Sequence, residues 1–407
     1  MPMVHKAAIG ALLLSAVACG DRPAANQVSR EAEPLVSSIA DARIAFTFAQ
    51  TRDAAGRVVT LLVTGFDHDL VRAVDLTASG APLDADVFDV MSKLGAARLA
   101  EAYRAKGQKS YRMDRLLPAG GTSIRHVATG TNFREHAKEA GIGNIFNFPK
   151  FNSATPPRTS VALRPGALLD YEVEICVRFD RNVSSVADFD AARKGFFLCG
   201  DFTDRAKLMR LVDPKHIESG RGFSDAKSGD DFFPTGPFLV IPGDWKSFVD
   251  GQRMTTEVNR VVRQDARGVE MIVDFRGIVG KALTNGEGGS YRYRGSPVPL
   301  LAGGRIARGS AVMSGTSEGV IFMPPRARDF LTGGARYIFT GPMLRGESAQ
   351  RVMIEGFIDM ERAAGRYLKA GDMVSHRSST LGDVQIRVTE PGETFVPPPE
   401  KPANRIN

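Results

Sequence analysis

Residues 169–177 read LDYEVEICV, and this alternation predicts a β-strand. Successive side chains of a strand point to opposite faces, so Tyr171, Val173, Ile175 and Val177 share one face while Glu172, Glu174 and Cys176 share the other. Two carboxylates side by side repel, and burial beside a cysteine raises the cost, so something cationic has to sit over them. A divalent metal is the natural candidate. The alternative is a solvent-facing strand whose two glutamates carry no chemistry.

Composition narrows the setting for that strand. The chain has 407 residues, 43% hydrophobic and 24% charged, enough for one large folded domain or two ordinary ones. Its 42 glycines and 23 prolines favour many turns and a β-rich α+β fold over a helical bundle. The net charge is +7, but the charges are interspersed rather than gathered into basic blocks, which argues against a nucleic-acid partner. Cys19, Cys176 and Cys199 have no CxxC spacing, so no cysteine zinc site can form. Any metal must be held by carboxylates or histidines.

The N-terminus bears on compartment. After Lys6 an uncharged run from Ala7 to Ala18 ends in small residues before Cys19 and reads as a signal peptide (1–19). It is shorter than the roughly 20 residues that a membrane helix needs. The Ala16, Val17, Ala18, Cys19 end resembles the lipobox of bacterial lipoproteins, although Ala16 stands where leucine is usual. Export to the periplasm with a lipid on Cys19 is the expectation, and an ordinary cleaved signal or a cytoplasmic chain are the alternatives. Residues 20–40 are polar and suit a tether. Residues 41–118 read as a small α+β unit: short strands near 43–50, 57–64 and 70–76, then apolar residues at helical spacing from Asp84 to Lys106. The main body runs from 119 to 390, and Pro397, Pro398 and Pro399 mark an extended tail over 391–407.

Within the body, GTNFREHAKE at 130–139 reads as a turn followed by a helix, with Asn132 and Glu135 spaced as a capping box. His136 and Glu139, three apart, share a helix face, so the carboxylate can orient the imidazole and hold a proton beside it, as the activation of water requires. Farther on come GDFTDR at 200–205, KSGDDFFPTGP at 227–237 and GTSEGV at 315–320. Each is bland alone. In this order, with DYEVE and with RQDARGVEMI at 263–272, they resemble the fumarylacetoacetate hydrolase family, whose members carry GxNYxxHxxE, DYExE, NDxTxRD, KSFDxFxPxGP and GTPxGV segments. The resemblance covers roughly residues 110–390.

The resemblance implies a mixed β-roll preceded by a small N-terminal α+β domain, often found as a homodimer. It implies magnesium or manganese held by Glu172, Glu174 and Asp201, an oxygen donor set that suits a hard divalent ion. The substrate it implies is a 2-oxo or β-diketo acid. His136 with Glu139 would activate water, Lys227 would stabilise negative charge, and Arg205, Thr316 and Phe133 would line the substrate site. Hydrolysis of a carbon–carbon bond in an acylpyruvate or β-diketone is the leading expectation; hydratase, isomerase or decarboxylase action, or simple oxo-acid binding, are the alternatives. The departures concern substrate contacts: Phe133 replaces a tyrosine, Ala206 and Leu208 replace polar family residues, and an insertion runs from Met323 to Arg362.

Two local readings remain. Residues 315–319 also fit GxSxG, the elbow of a serine hydrolase, but Pro324 and Pro325 stop the helix that an elbow requires. His5, His68, His126 and His216 have no partner pattern and read as structural. If Glu174 stood opposite Asp201 on an antiparallel strand, Cys176 would face Cys199 at a distance suited only to a strained disulfide; two separate buried cysteines are the alternative.

Overall fold

The computed structural model describes residues 31–393 apart from 32, 68, 106, 214, 287–290 and 325–347. The expected signal peptide with Cys19, His5, His68, the start of the tether, the triple proline of the tail and much of the 323–362 insertion lie outside the described residues.

Four strands open the chain as an antiparallel meander: Ala45–Arg52 (β1), Val58–Asp67 (β2), Leu70–Asp75 (β3) and Lys109–Arg112 (β4). Val87–Arg104 (α1) packs on β2 through Val87, Phe88, Val90, Leu94 and Leu99, the residues that helical spacing places on one side. Its first turn is fixed by the Asp86 carboxylate, which accepts a 2.8 Å hydrogen bond from the Phe88 N–H.

The body continues with His126–Gly130 (β5), Arg134–Ala140 (α2), Phe146–Lys150 (β6), Arg158–Ala162 (β7), Leu169–Asp170 (β8) and Val173–Phe179 (β9). Val186–Ala191 (α3), Lys194–Gly200 (β10), Thr203–Asp204 (β11), Arg205–Leu211 (α4), Phe223–Lys227 (α5) and Leu239–Pro242 (β12) follow. The remainder is Trp245–Asp250 (α6), Arg253–Val258 (β13), Val261–Arg267 (β14), Phe275–Asn285 (α7), a hairpin of Tyr291–Tyr293 (β15) and Ser296–Val298 (β16), Val312–Met313 (β17), Ala349–Ala364 (α8), Met373–Ser378 (β18) and Asp383–Thr389 (β19).

Ten of these strands form one sheet in the order β4-β3-β2-β1-β12-β10-β9-β17-β5-β6, and five form a second in the order β14-β13-β18-β19-β7. Most neighbours are antiparallel; β17 with β5 and β19 with β7 are parallel. The fold is therefore the strand-rich α+β class that the sequence indicates. Because β1 pairs with β12, the N-terminal segment extends the same sheet that carries the body. The second sheet lies against β9 and β10, and all seven residues of each of these strands are buried. That double cover explains why the carboxylates of the DYEVE segment lie inside the protein.

The pairing of β9 with β10 corrects one expectation. Glu174 stands opposite Cys199, and Cys176 opposite Phe197, so the register differs by two residues from one that sets Glu174 against Asp201. Asp201 instead lies just past β10, level with Glu172, and its N–H donates to the Glu172 carbonyl at 2.9 Å. Cys176 and Cys199 are then diagonal neighbours, which the right-handed twist of a sheet draws together. They form a disulfide, with Cα atoms 6.0 Å apart.

A second correction concerns the start of α2. Asn132 does not cap it, and no side chain does. The Asn132 amide donates to the carbonyls of Val273 and Ser314 at 2.9 and 2.8 Å, and its oxygen accepts from the Val273 N–H at 2.9 Å. A buried amide finds more partners there than at a helix end, and it ties the turn before α2 to the 314–322 loop.

Candidate active site

Glu172, Glu174 and Asp201 are buried, and one carboxylate oxygen from each lies within 4.8 Å of the others. Glu172 just before β9 and Glu174 within it supply two of them, and the turn after β10 brings the third level with Glu172. The Glu174 Oε2 accepts from the Gly315 N–H at 2.8 Å, but its Oε1 is buried without a hydrogen-bond partner among the described residues. A buried carboxylate oxygen left without a donor is costly, and three hard oxygens around it are the donor set that a magnesium or manganese ion takes.

Three side-chain cations press on the same group. Lys227 Nζ bridges Glu172 Oε2 and Asp201 Oδ2, at 2.8 Å each. Lys150 Nζ donates to Asp201 Oδ1 at 2.7 Å, to the Phe232 carbonyl at 3.1 Å and to the Lys227 carbonyl. Arg205 donates through Nη2 to Glu172 Oε1 at 2.7 Å and through Nε to Asp170 Oδ2 at 2.8 Å. Burial alone would raise the Glu172 pKa, yet Lys227 and Arg205 hold it down to about 2. Glu174 goes the other way: burial, then the neighbouring Asp201 and Glu172 charges, push it well above the usual carboxylate range. Burial pulls the Lys150 amine down. For Lys227, the attraction of Asp201 and Glu172 outweighs burial and raises it.

Beside this cluster, His136 Nδ1 lies 3.3 Å from Glu139 Oε2, one turn along α2. Glu139 also accepts from the Gly319 N–H, at 3.3 Å to each oxygen. With Nδ1 turned to the carboxylate, Nε2 is the nitrogen left for a reacting molecule. The loop that supplies Gly315 and Gly319 needs glycine at both. Gly319 has φ of 97° and a Cβ there would lie 1.9 Å from the Arg263 carbonyl, while Gly315 has φ of 79°. Asp170 anchors the far end of the loop through the N–H groups of Ile321 and Phe322, at 3.0 and 3.2 Å. No helix follows Gly319 in the described part of the loop, so the GxSxG pattern is no nucleophile elbow, and Ser317 is buried.

The cluster forms one side of a cavity of about 600 Å³ whose lining includes His136, Glu172, Arg205, Lys227 and Thr316. Glu174 and Asp201 sit behind those side chains. Phe133 is buried and is not on the cavity wall; it bridges to Met271 on the other side of α2. Two residues that the sequence reading passes over complete the site. Lys150 ends a fully buried strand, an unusual place for a lysine, and that burial pattern is its only signal. Gln264, inside RQDARGVEMI, donates to Thr316 Oγ1 at 2.9 Å and to the Ser317 carbonyl at 3.0 Å, and accepts from the Val173 N–H at 3.1 Å. It locks the Thr316 loop to β9. His126 and His376 are fully buried, away from the cavity wall.

A buried acidic triad with the donor set for a metal ion thus lies beside a histidine–glutamate pair, and comparison with known families gives the chain its class. Residues 125–389 match the family model described as fumarylacetoacetate (FAA) hydrolase C-terminal, which spans most of the chain. The protein belongs to the fumarylacetoacetate hydrolase family. Among solved structures, it is similar to the fumarylacetoacetate hydrolase from psychrophilic Exiguobacterium antarcticum, with 18% identity, a TM-score of 0.50, and coverage of 85% of this chain and 99% of that one. It is likewise similar to the 5-carboxymethyl-2-hydroxymuconate delta-isomerase from Mycobacterium smegmatis, with 16% identity, a TM-score of 0.50, and coverage of 85% and 100%. At these identities the likeness is one of fold. No curated protein matches the chain.

Proposed function

We propose that the protein is a metal-dependent hydrolase that cleaves a carbon–carbon bond in acylpyruvate or β-diketone acids. The observation that carries this reading is the unpartnered Glu174 Oε1 inside a buried carboxylate triad whose Glu172 lines a cavity. Glu172, Glu174 and Asp201 would hold magnesium or manganese, which when bound supplies a Lewis acid for the paired oxygens of such an acid.

The chain's own residues supply the rest. Glu139 fixes the His136 ring through Nδ1, so Nε2 can take a proton from water and later return it. Lys227 and Arg205 on the cavity wall offer fixed positive charge to a carboxylate or a developing enolate oxygen. The Gln264–Thr316 bond holds the loop hydroxyl in place at the cavity edge. Isomerase action is the second reading, favoured by the delta-isomerase among the similar folds, since it needs the same proton held at His136.

Export is part of the proposal, with lipid attachment at Cys19. The buried Cys176–Cys199 disulfide supports it, because such bonds persist in oxidising compartments. No helix among the described residues is long and apolar enough to cross a membrane. The test is a magnesium-supplemented screen of acylpyruvates and 2-oxo acids on wild type and Glu172→Ala, with products identified. Cleavage lost in Glu172→Ala supports the hydrolase, a rearranged product of unchanged mass supports the isomerase, and turnover unaffected by the substitution overturns both.

A further inference from the structure

Away from the carboxylate cluster the described lining of the cavity is mostly apolar. One face of α4 passes from charge to carbon within a turn: Arg205 belongs to the carboxylate cluster, while Leu208 and Met209, three and four residues on, line the cavity wall. Phe146, Phe148 and Phe223 continue that wall as a packed group, with ring centroids 4.9 to 6.0 Å apart. A further side is α8, most of which lies in the insertion and which packs on α4. Its Gln350, Met353, Ile354 and Phe357 fall at i, i+3, i+4 and i+7 and all line the cavity. The helix is fastened to α4 by Arg210, whose Nε and Nη2 donate to the Glu355 carboxylate at 2.7 and 2.8 Å. A short, fully charged acid would occupy only the floor and leave this apolar chamber filled with water that finds few partners.

We infer that the substrate is a 2-oxo or β-diketo acid bearing a long apolar chain: the acid end lies on Glu172, Arg205 and Lys227, and the chain lies between α4, the phenylalanine wall and α8. This rests on the oxo-acid reading of the floor. It goes beyond that reading by assigning the insertion helix to chain-length selection. Lys215 and Gln350, the polar residues of the lining away from the floor, are long enough to turn their heads aside and offer carbon to the chamber.

Calorimetry of oxalate, pyruvate, 2-oxohexanoate and 2-oxodecanoate against the magnesium-loaded full chain tests the inference. Each buried methylene strengthens binding about fourfold, so 2-oxohexanoate is expected to exceed pyruvate by roughly 50-fold, with a further gain for 2-oxodecanoate. Ile354→Trp, which fills the chamber, and the milder Met353→Gln are expected to lower the ratio of 2-oxodecanoate to pyruvate affinity by about tenfold or more. Affinity independent of chain length, with oxalate and pyruvate still bound, overturns the chain-length inference alone. A chain-length gain that persists in both variants overturns the role of α8. If no member binds, oxalate included, the oxo-acid reading falls and the inference falls with it.

Discussion

Lys150 Nζ lies 2.7 Å from Asp201 Oδ1, and neither side chain has meaningful access to solvent. Removing one partner of such a pair leaves a buried charge alone, which costs about 3–5 kcal/mol. Lys150→Met leaves Asp201 with Lys227 as its cation partner at 2.8 Å, so it is expected to destabilise the metal-free protein by less than that amount. The loss should shrink when Asp201→Asn is added, because both charges are then gone. Urea denaturation of the two single variants and the double variant gives the comparison; a loss in the double variant equal to the sum of the two single losses would show that the pair is not coupled.

Glu174→Gln separates metal binding from folding. The substitution removes the carboxylate whose Oε1 has no donor, while an amide oxygen can still accept from the Gly315 N–H. Wild type is expected to gain about 2.7 kcal/mol when magnesium stands at 100 times its Kd. The variant should gain nothing, and its metal-free melting temperature should not fall. A magnesium-dependent rise of normal size in the variant would move the ion elsewhere.

The His136–Glu139 pair is expected to matter for chemistry and little for binding. His136→Gln should lower kcat by about 10² to 10⁴ while magnesium affinity and KM stay near those of wild type. Glu139→Gln should show a smaller fall in the same direction, since it orients the ring through a 3.3 Å contact. A rise in KM with kcat intact would assign the pair to substrate binding instead.

His126 predicts acid sensitivity. Its Nε2 faces the Asn152 carbonyl at 2.9 Å and its Nδ1 accepts from the Ala311 N–H at 3.0 Å, so the neutral ring is fully satisfied. Burial pushes its pKa down from 6.5 to about 4. Between those values the unfolded chain takes up a proton that the folded one declines, so the contribution is intact above pH 6.5 and is lost as pH falls through 4. About 3 kcal/mol is involved. His126→Gln should flatten the wild-type fall in stability over that range, leaving a share from His376, which burial lowers to about 3. Equal slopes in wild type and variant would count against a neutral buried His126.

Compartment has its own checks. Cys19→Ser should move the protein out of the membrane fraction if lipid holds it there; a variant that stays in the membrane, processed as before, would count against the anchor. Thiol titration of denatured, unreduced protein should find neither Cys176 nor Cys199 free.

The features legible in the sequence are those set by local periodicity. Alternation marks β9, although the 169–177 run is broken at 171–172 into β8 and β9; helical spacing marks α1, and three residues suffice to pair His136 with Glu139. What stayed hidden depends on contacts far apart in the chain. Lys150 meets Asp201 from 51 residues away, and Gln264 meets Thr316 from 52. A lone lysine or glutamine carries no periodic signal, so only the folded sheet reveals either. Register was missed for the same reason, since a two-residue slip keeps every side chain on its face and alternation cannot detect it. Asn132 was read as a cap because spacing sees neighbours along the chain but not the Val273 and Ser314 carbonyls that outcompete them.

The ammonium of Lys227, held equally between Glu172 and Asp201, acts as a resident countercharge for the acidic triad. Lys150 and Arg205 add to it, so Asp170, Glu172 and Asp201 each have a built-in cation within hydrogen-bond reach. The carboxylates are thereby countered by the chain's own side chains, and a fold of this design can be completed before any ion is bound.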